Sequence, residues 1–332
     1  MGPHGRRIVD AIAQLPNCEL AAVVDRSEQA LAYEKLPEKT AQLTSTDALW
    51  AARDVELVCV ATNGPSHAAL ALAAMEAGVR HLLIAKPMAC SLAECDKIMV
   101  QSRERGCRVV VDHIRRHAPA YVWLRQRIAS GDWGSPRAVW MQRPGIGLGC
   151  NATHSFDAIR FITGRDVTQV TGWVDPPIAK NPRGAEFVDP GGLVVMELGP
   201  GLRAIVAQVE DGAGPTTLEI DLTAARVRLD EKSGQIEVIE RDTSIKPGPG
   251  RPPVYRNAEL PSGLSAQIDM QAGLRETLSN LISGEPLVCD VVHGRASVEV
   301  LVATYVSQRR GHAPLAIPSA DEEMISLWLP IT

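Results

Sequence analysis

The first 115 residues predict a doubly wound α/β domain, and two observations carry that expectation. Strand-length apolar runs alternate with helical patterns of about 10–15 residues, the sign of βαβ units around a parallel sheet. The aromatic content agrees. Three Phe, four Tyr and six Trp in 332 residues leave a mostly aliphatic core, which suits strands covered on both faces.

The elements follow in order. Ile8, Ile12 and Leu15 recur at helical spacing within residues 6–15, and Pro16-Asn17 stops that helix. Residues 19–25 (ELAAVVD) read as a buried strand ending in an acid. Ser27 then caps a helix expected over 28–36. Residues 55–61 (VELVCVA) form the next strand, and 67–77 a helix closed by Gly78. A strand at 80–84, a helix at 91–105 stopped by Gly106, and a strand at 108–111 complete this half. In such sheets, ligands bind at the carboxyl ends of the strands, so the loops after Val24, Val60, Ile84 and Val111 are the ones to inspect.

Beyond Gly164 the pattern changes to strands with turn signals, at 168–174, 192–198, 202–209, 216–222 and 226–230. Residues 245–263 form a Pro/Gly-rich loop, and 267–282 and 294–309 are amphipathic helices. At about 150 residues per domain the length predicts two domains, divided as 1–115 and 116–332.

Composition narrows the function. A net charge of −5 and the absence of a basic stripe argue against nucleic acid as a partner. No apolar run approaches the roughly 18 residues of a membrane span. Seven scattered cysteines without C-x-x-C spacing predict reduced thiols in a cytoplasmic protein, with no metal site.

Gly2 and Gly5, at the start of the first helix, fit the second and third glycines of G-x-G-x-x-G. Asp25 then falls where an acid reaches the adenosine ribose hydroxyls. Glycine lets the backbone approach a pyrophosphate, whose charge the helix N-terminus favours. The first glycine and the strand before it do not stand in this sequence. That strand is central in the 3-2-1-4-5-6 order, so the expectation is that Met1 is an internal start with roughly ten residues encoded upstream. Asp25 favours NAD by repelling a 2′-phosphate, and Arg26 beside it is placed to stack on adenine or attract that phosphate, leaving NADP open.

Several segments point to one family. Ala61-Thr62-Asn63-Gly64-Pro65-Ser66-His67 follows one strand, and Ile84-Ala85-Lys86-Pro87 ends the next. Gly149-Cys150-Asn151-Ala152-Thr153-His154-Ser155-Phe156-Asp157 runs into Ile159–Gly164. With Arg115-Arg116-His117-Ala118-Pro119, Gly131-Asp132-Trp133-Gly134 and Gly294-Arg295-Ala296, the chain resembles the glucose–fructose oxidoreductase / inositol dehydrogenase / rhizopine-catabolism (Gfo/Idh/MocA) family. The resemblance implies a Rossmann-type domain, and after it an α+β domain whose large open antiparallel sheet carries substrate contacts and forms a homodimer or homotetramer, with the last helix, about 294–309, packing back on the first domain. It implies NAD(P)-dependent hydride transfer at a carbinol carbon of a sugar, inositol or related polyol. It also implies that Lys86 touches the substrate hydroxyl and the nicotinamide ribose, and that His154 is the general acid/base.

The residues suit those roles. Histidine titrates near working pH and takes a hydroxyl proton, and an ammonium stabilises the developing alkoxide. Pro87 fixes its own φ and holds the turn that aims Lys86. Thr62, Asn63 and Pro65 are expected on the nicotinamide-ribose and pyrophosphate side of the cleft, with His67 either there or structural. Arg115, Arg116, Asn151 and Asp157 are the candidate substrate contacts, and His154 and Asp157, three apart at a helix start, are expected to face one cleft. Two positions depart from the family pattern: Ala85 stands where it has glutamate, and Cys150 where it often has aspartate. A thiol is a poor substitute for a carboxylate at neutral pH. Two alternatives therefore stand beside the dehydrogenase: an NAD-dependent enzyme with no net redox change, for glycoside cleavage or epimerisation, and a ligand-sensing binding protein of the same fold.

Overall fold

The computed structural model describes residues 1–332 apart from 53, 179, 246, 247, 249–251 and 332. The chain divides into two compact units, Met1–Ile114 with Asp269–Arg295, and Arg115–Ile268 with Ala296–Thr332.

The first unit opens with α1 (Pro3–Ile12), which buries Ile8, Val9, Ala11 and Ile12 on one face. β1 (Ala22–Val24) follows, then the short α2 (Glu28–Leu31), whose first turn is capped by the Ser27 hydroxyl. The helix expected to reach residue 36 stops at Leu31. Tyr33 and Leu36 instead pack, as partly buried side chains, on a cluster of Val9, Val23 and Leu31. β2 (Ala41–Leu43) pairs with β1 in parallel, and α3 (Thr46–Ala52) comes next. β3 (Leu57–Val60), α4 (Gly64–Glu76), β4 (His81–Ile84), α5 (Leu92–Glu104) and β5 (Arg108–Val111) complete the alternation. Ser91 caps α5 by accepting from the Glu94 N–H.

The parallel strands form two sheets, β1-β2 and β3-β4-β5. β1 and β3, the two strands that the 3-2-1-4-5-6 order places beside its first strand, have no strand partner on that side among the described residues.

The second unit holds α6 (Pro119–Ser130), β6 (Pro136–Pro144) and α7 (Thr153–Thr163). After them come β7 (Gln169–Val174), β8 (Gly192–Glu197), β9 (Arg203–Val209), β10 (Thr217–Leu222), β11 (Ala225–Asp230), β12 (Ile236–Arg241), β13 (Tyr255–Asn257) and β14 (Leu315–Ala316). They join in the order β13-β12-β11-β10-β6-β9-β8-β7-β14. Every pairing is antiparallel except β6 with β9, so the sheet is mixed at its centre. Strand residues alternate between a buried face (Val139 and Met141; Ala204 and Val206; Val227 and Leu229) and an open one carrying Trp140, Trp173, Leu193 and Ile239. The loop expected over 245–263 is partly outside the described residues, and its later part forms β13.

α8 (Met270–Ile282) and α9 (Val291–Arg309) follow, then α10 (Glu322–Ser326). Residues 269–295, which the division at 115/116 assigns to the second domain, cluster with the first unit. The cause is local packing. α8 lies on α1, β4 and β5, and the guanidinium of Arg108 on β5 donates to the carbonyls of Asn280, Leu281, Gly284 and Glu285. Gly294 in α9 approaches β5 so closely that a Cβ there would meet Val111 at 2.4 Å. No described helix is long and apolar enough to cross a membrane.

Candidate functional site

In the first unit the candidate residues collect at helix starts and at the carboxyl ends of strands. Gly2 is the N-cap of α1 and Pro3 its first residue, with no side chain capping the exposed N–H groups. A Cβ built on Gly2 meets nothing within 4 Å, so this helix start is open. α4 begins in the same way: Asn63 is its N-cap without a side-chain bond to the backbone, and Pro65 stands in its first turn. Two uncapped helix starts beside a parallel sheet suit the phosphates of a dinucleotide.

Asp25 follows β1. Its carboxylate accepts from the Ser27 N–H at 3.0 Å and lies 3.1 Å from the Met1 ammonium, which also donates to the Ala30 carbonyl. Burial alone would raise its pKa. The Ser27 bond, the ammonium and neighbouring Arg26 outweigh burial and hold the carboxyl below its ordinary value. Arg26 itself is exposed.

Lys86 lies just beyond β4, partly exposed, while Pro87 after it is buried and joined by a cis peptide. His67 holds this turn. Its ring is 1% exposed, with Nδ1 2.8 Å from the Pro87 carbonyl oxygen and Nε2 3.3 Å from that of Thr62. Burial, with the Lys86 charge as a lesser cause, pushes the imidazole down to about 4. The ring is therefore neutral at pH 7 and donates one N–H, to Pro87 by the shorter distance. His67 is thus structural, tying the start of α4 to the lysine turn. Thr62 and Asn63 are linked through Ser66, whose hydroxyl lies 2.7 Å from the Thr62 hydroxyl and donates to Asn63.

The second unit carries the other candidates. A π-helical turn, Leu148–Ala152, runs directly into α7, so Asn151 and His154 stand within one helical turn of each other. Asp189, buried, holds the start of that turn by accepting from the N–H groups of Gly149 and Cys150, each at 2.7 Å. Gly147 has φ +86°, and a Cβ there would fall 2.0 Å from an Asp189 oxygen, so only glycine fits. Asp189 escaped the sequence reading because its partners lie about 40 residues earlier.

Three of the candidate substrate contacts, Asp157, Arg116 and Arg115, are engaged in buried ion pairs. Asp157 is 0% exposed and takes a forked bond from Arg116, itself 4% exposed, at 2.8–3.1 Å. Three residues after His154 on a helix, Asp157 turns into the core, where Arg116 matches its charge. Arg115 is likewise buried and forked onto Glu231 at 2.6 and 2.7 Å, with the Tyr121 hydroxyl donating to the same carboxylate. Burial opposes both charges of that pair, but their attraction wins, raising the Arg115 pKa and lowering that of Glu231. Lys86 belongs to one compact unit, and His154, Asn151, Arg115, Arg116 and Asp157 to the other.

The parallel strands, the open helix starts and the acid after β1 define a nucleotide-binding α/β fold of Rossmann type. Residues 1–113 match the model of the oxidoreductase family with an NAD-binding Rossmann fold, Gfo/Idh/MocA. Inositol 2-dehydrogenase 1 of Saccharopolyspora erythraea is 30% identical over 45% of this chain and 46% of its own length. UDP-N-acetylglucosamine 3-dehydrogenase of Acidithiobacillus ferrooxidans is 34% identical over 38% of each chain. The match therefore spans less than half the length of these relatives. An oxidoreductase domain protein from Kribbella flavida, 22% identical, superposes with a TM-score of 0.79 over 95% of this chain and 96% of its own. At that identity the likeness establishes the fold.

Proposed function

We propose that the protein is an NAD(P)-dependent dehydrogenase acting on a CH–OH group of a sugar, inositol or related polyol, with NAD the preferred cofactor. One observation carries this reading most directly: in the NAD-binding unit, a buried neutral histidine locks the turn that presents the partly exposed Lys86. The sugar and inositol dehydrogenases among the relatives support the substrate class.

The residues that would hold the cofactor are Gly2 and Gly5 at the α1 start, Asp25 toward the ribose diol, and Thr62, Asn63 and Pro65 at the α4 start. When bound, the nicotinamide supplies a two-electron acceptor for the hydride that leaves the carbinol carbon. His154 takes the proton of the reacting hydroxyl as general base. The Lys86 ammonium stabilises the negative charge that develops on that oxygen, which lowers the barrier only if the amine is held where the charge appears. The His67–Pro87 bond supplies that hold.

The test is NADH production by the purified protein over a panel of inositols, aldoses and aldonates, with Lys86→Ala and His154→Ala alongside. Turnover by the wild type and its loss in both variants is the expected result. Undiminished turnover in either variant removes that residue from its role, and no turnover with intact NAD binding removes the dehydrogenase reading.

A further inference from the structure

Arg143, at the end of β6, is the one arginine of its cluster without a carboxylate partner. Its Nη1 is buried with no hydrogen-bond partner, and its Nη2 makes only a long contact, 3.4 Å, to the Asn151 side-chain oxygen. Glu231, the carboxylate whose charge acts on Arg143, is already committed: both oxygens take the Arg115 fork, and one also accepts from Tyr121. Two guanidinium groups thus share one carboxylate, leaving the cluster with an uncompensated positive charge. A buried cation without a counter-charge is costly, and burial together with the Arg115 charge pushes Arg143 down to about 10.

A second unmet polar group stands beside it. Gln208 on β9 is the Cα partner of Arg143 in the parallel β6–β9 pair, so both side chains leave the same face of the sheet. Gln208 is fully buried. Its amide nitrogen donates to the Gly145 carbonyl, and its side-chain oxygen has no partner. The neighbourhood therefore offers one cationic donor and one neutral acceptor. A ligand bearing an anionic oxygen close to a hydroxyl satisfies both at once; a neutral polyol leaves the charge unmet. Asn151 touches Arg143 and lies within one helical turn of His154, which puts this pair beside the proposed base.

We infer that Arg143 and Gln208, with Asn151, form an anion-recognising subsite and that the substrate is an anionic polyol, carrying a carboxylate or phosphate beside a hydroxyl. The turnover consequence rests on the dehydrogenase reading, whereas the binding consequence does not.

The experiment is titration calorimetry of the protein with D-gluconate, D-glucose 6-phosphate, D-glucose and myo-inositol, repeated on Arg143→Met and Arg143→Lys. Circular dichroism melts check that each variant is folded. An anionic ligand is expected to bind at least about tenfold more tightly than its neutral counterpart, the scale of one charge-assisted hydrogen bond. Arg143→Met abolishes that preference and Arg143→Lys retains part of it. Gluconate against glucose 6-phosphate identifies which anion is read. Equal affinity for neutral and anionic ligands, no binding of any of the four at millimolar concentration, or an undiminished preference in folded Arg143→Met overturns the subsite. None of these results depends on turnover, so failure of the subsite and failure of the dehydrogenase reading are told apart.

Discussion

The Nδ1 atom of His67 sits 2.8 Å from the carbonyl oxygen of Pro87, so the first turn of one helix is tied to the turn that carries Lys86. The bond requires a neutral, buried imidazole. Protonation would place a charge in a site from which water is excluded and set it against the nearby Lys86 ammonium.

A pH dependence of stability follows. The folded pKa of His67 is about 4 against 6.5 for the free group, so the unfolded chain binds the proton more tightly. The stabilisation is fully present above about pH 6.5 and is lost as the pH falls toward about 4, amounting to about 3 kcal/mol over the window and about 2 kcal/mol by pH 5. Urea denaturation at pH 8 and pH 5 should show the wild type losing about 2 kcal/mol more than His67→Gln, which has no proton to gain. Equal losses in the two proteins would mean that the ring is not held neutral.

The Arg116–Asp157 pair makes a second expectation. Both side chains are buried and the fork is complete, with the guanidinium carbon 5.2 Å from the Phe161 ring centroid. Removing one member leaves an uncompensated buried charge, so Asp157→Ala should cost about 3–5 kcal/mol, whereas the double variant Arg116→Met/Asp157→Leu should lie well closer to wild type. Chemical denaturation of the single and double variants measures this. A folded, fully stable Asp157→Ala with weakened substrate binding would instead return Asp157 to the substrate site.

What the sequence showed and what it hid divide along the range of the interactions. Ser27 as a cap, Gly78 and Gly106 as left-handed helix ends, and the Lys86-Pro87 turn are set by neighbours along the chain, and each was legible. β6 left a local signal, the alternation of Val139 and Met141 with Trp140 and Gln142, but prolines at both ends masked it. Glu231 and Asp189 left none. Each is an ordinary acid in sequence and acquires its role only when folding brings Arg115, or the N–H groups of Gly149 and Cys150, to it from about 116 and 40 residues away. The pairing of Arg116 with Asp157 was hidden for a related reason. Single charged residues favour the surface, and only the fold reveals that these two satisfy each other inside it.

Cofactor choice is tested at Asp25. On the proposed function, its carboxylate binds the ribose diol of NAD and repels a 2′-phosphate. Asp25→Ala should raise KM for NAD by about tenfold, the scale of one charged hydrogen bond, with a smaller change in kcat, and should narrow the discrimination against NADP. The ratio of kcat/KM for the two cofactors, measured in wild type and variant, gives the answer. An unchanged ratio would place selectivity elsewhere, with Arg26 the next residue to replace.

The turn before His154 depends on one carboxylate and one glycine. Asp189 accepts two backbone N–H groups at 2.7 Å, and Gly147 leaves the room in which that carboxylate sits. Asp189→Asn keeps the shape but offers one acceptor oxygen and turns an NH2 group toward the other N–H, so it should destabilise the protein by about 1–3 kcal/mol. Gly147→Ala should cost more, because the added methyl falls 2.0 Å from the Asp189 oxygen and the backbone sits at φ +86°. Since the π-turn runs unbroken into α7, displacement of its start is transmitted to His154. On the proposed function, Asp189→Asn should therefore lower kcat by more than it raises KM, whereas Asp189→Glu, which restores the charge, should recover part of the loss. Thermal melts and steady-state kinetics on the three variants separate the two effects: a lowered melting temperature with unaltered kcat would confine Asp189 to stability, and a lowered kcat rescued by glutamate would show that the carboxylate positions the base.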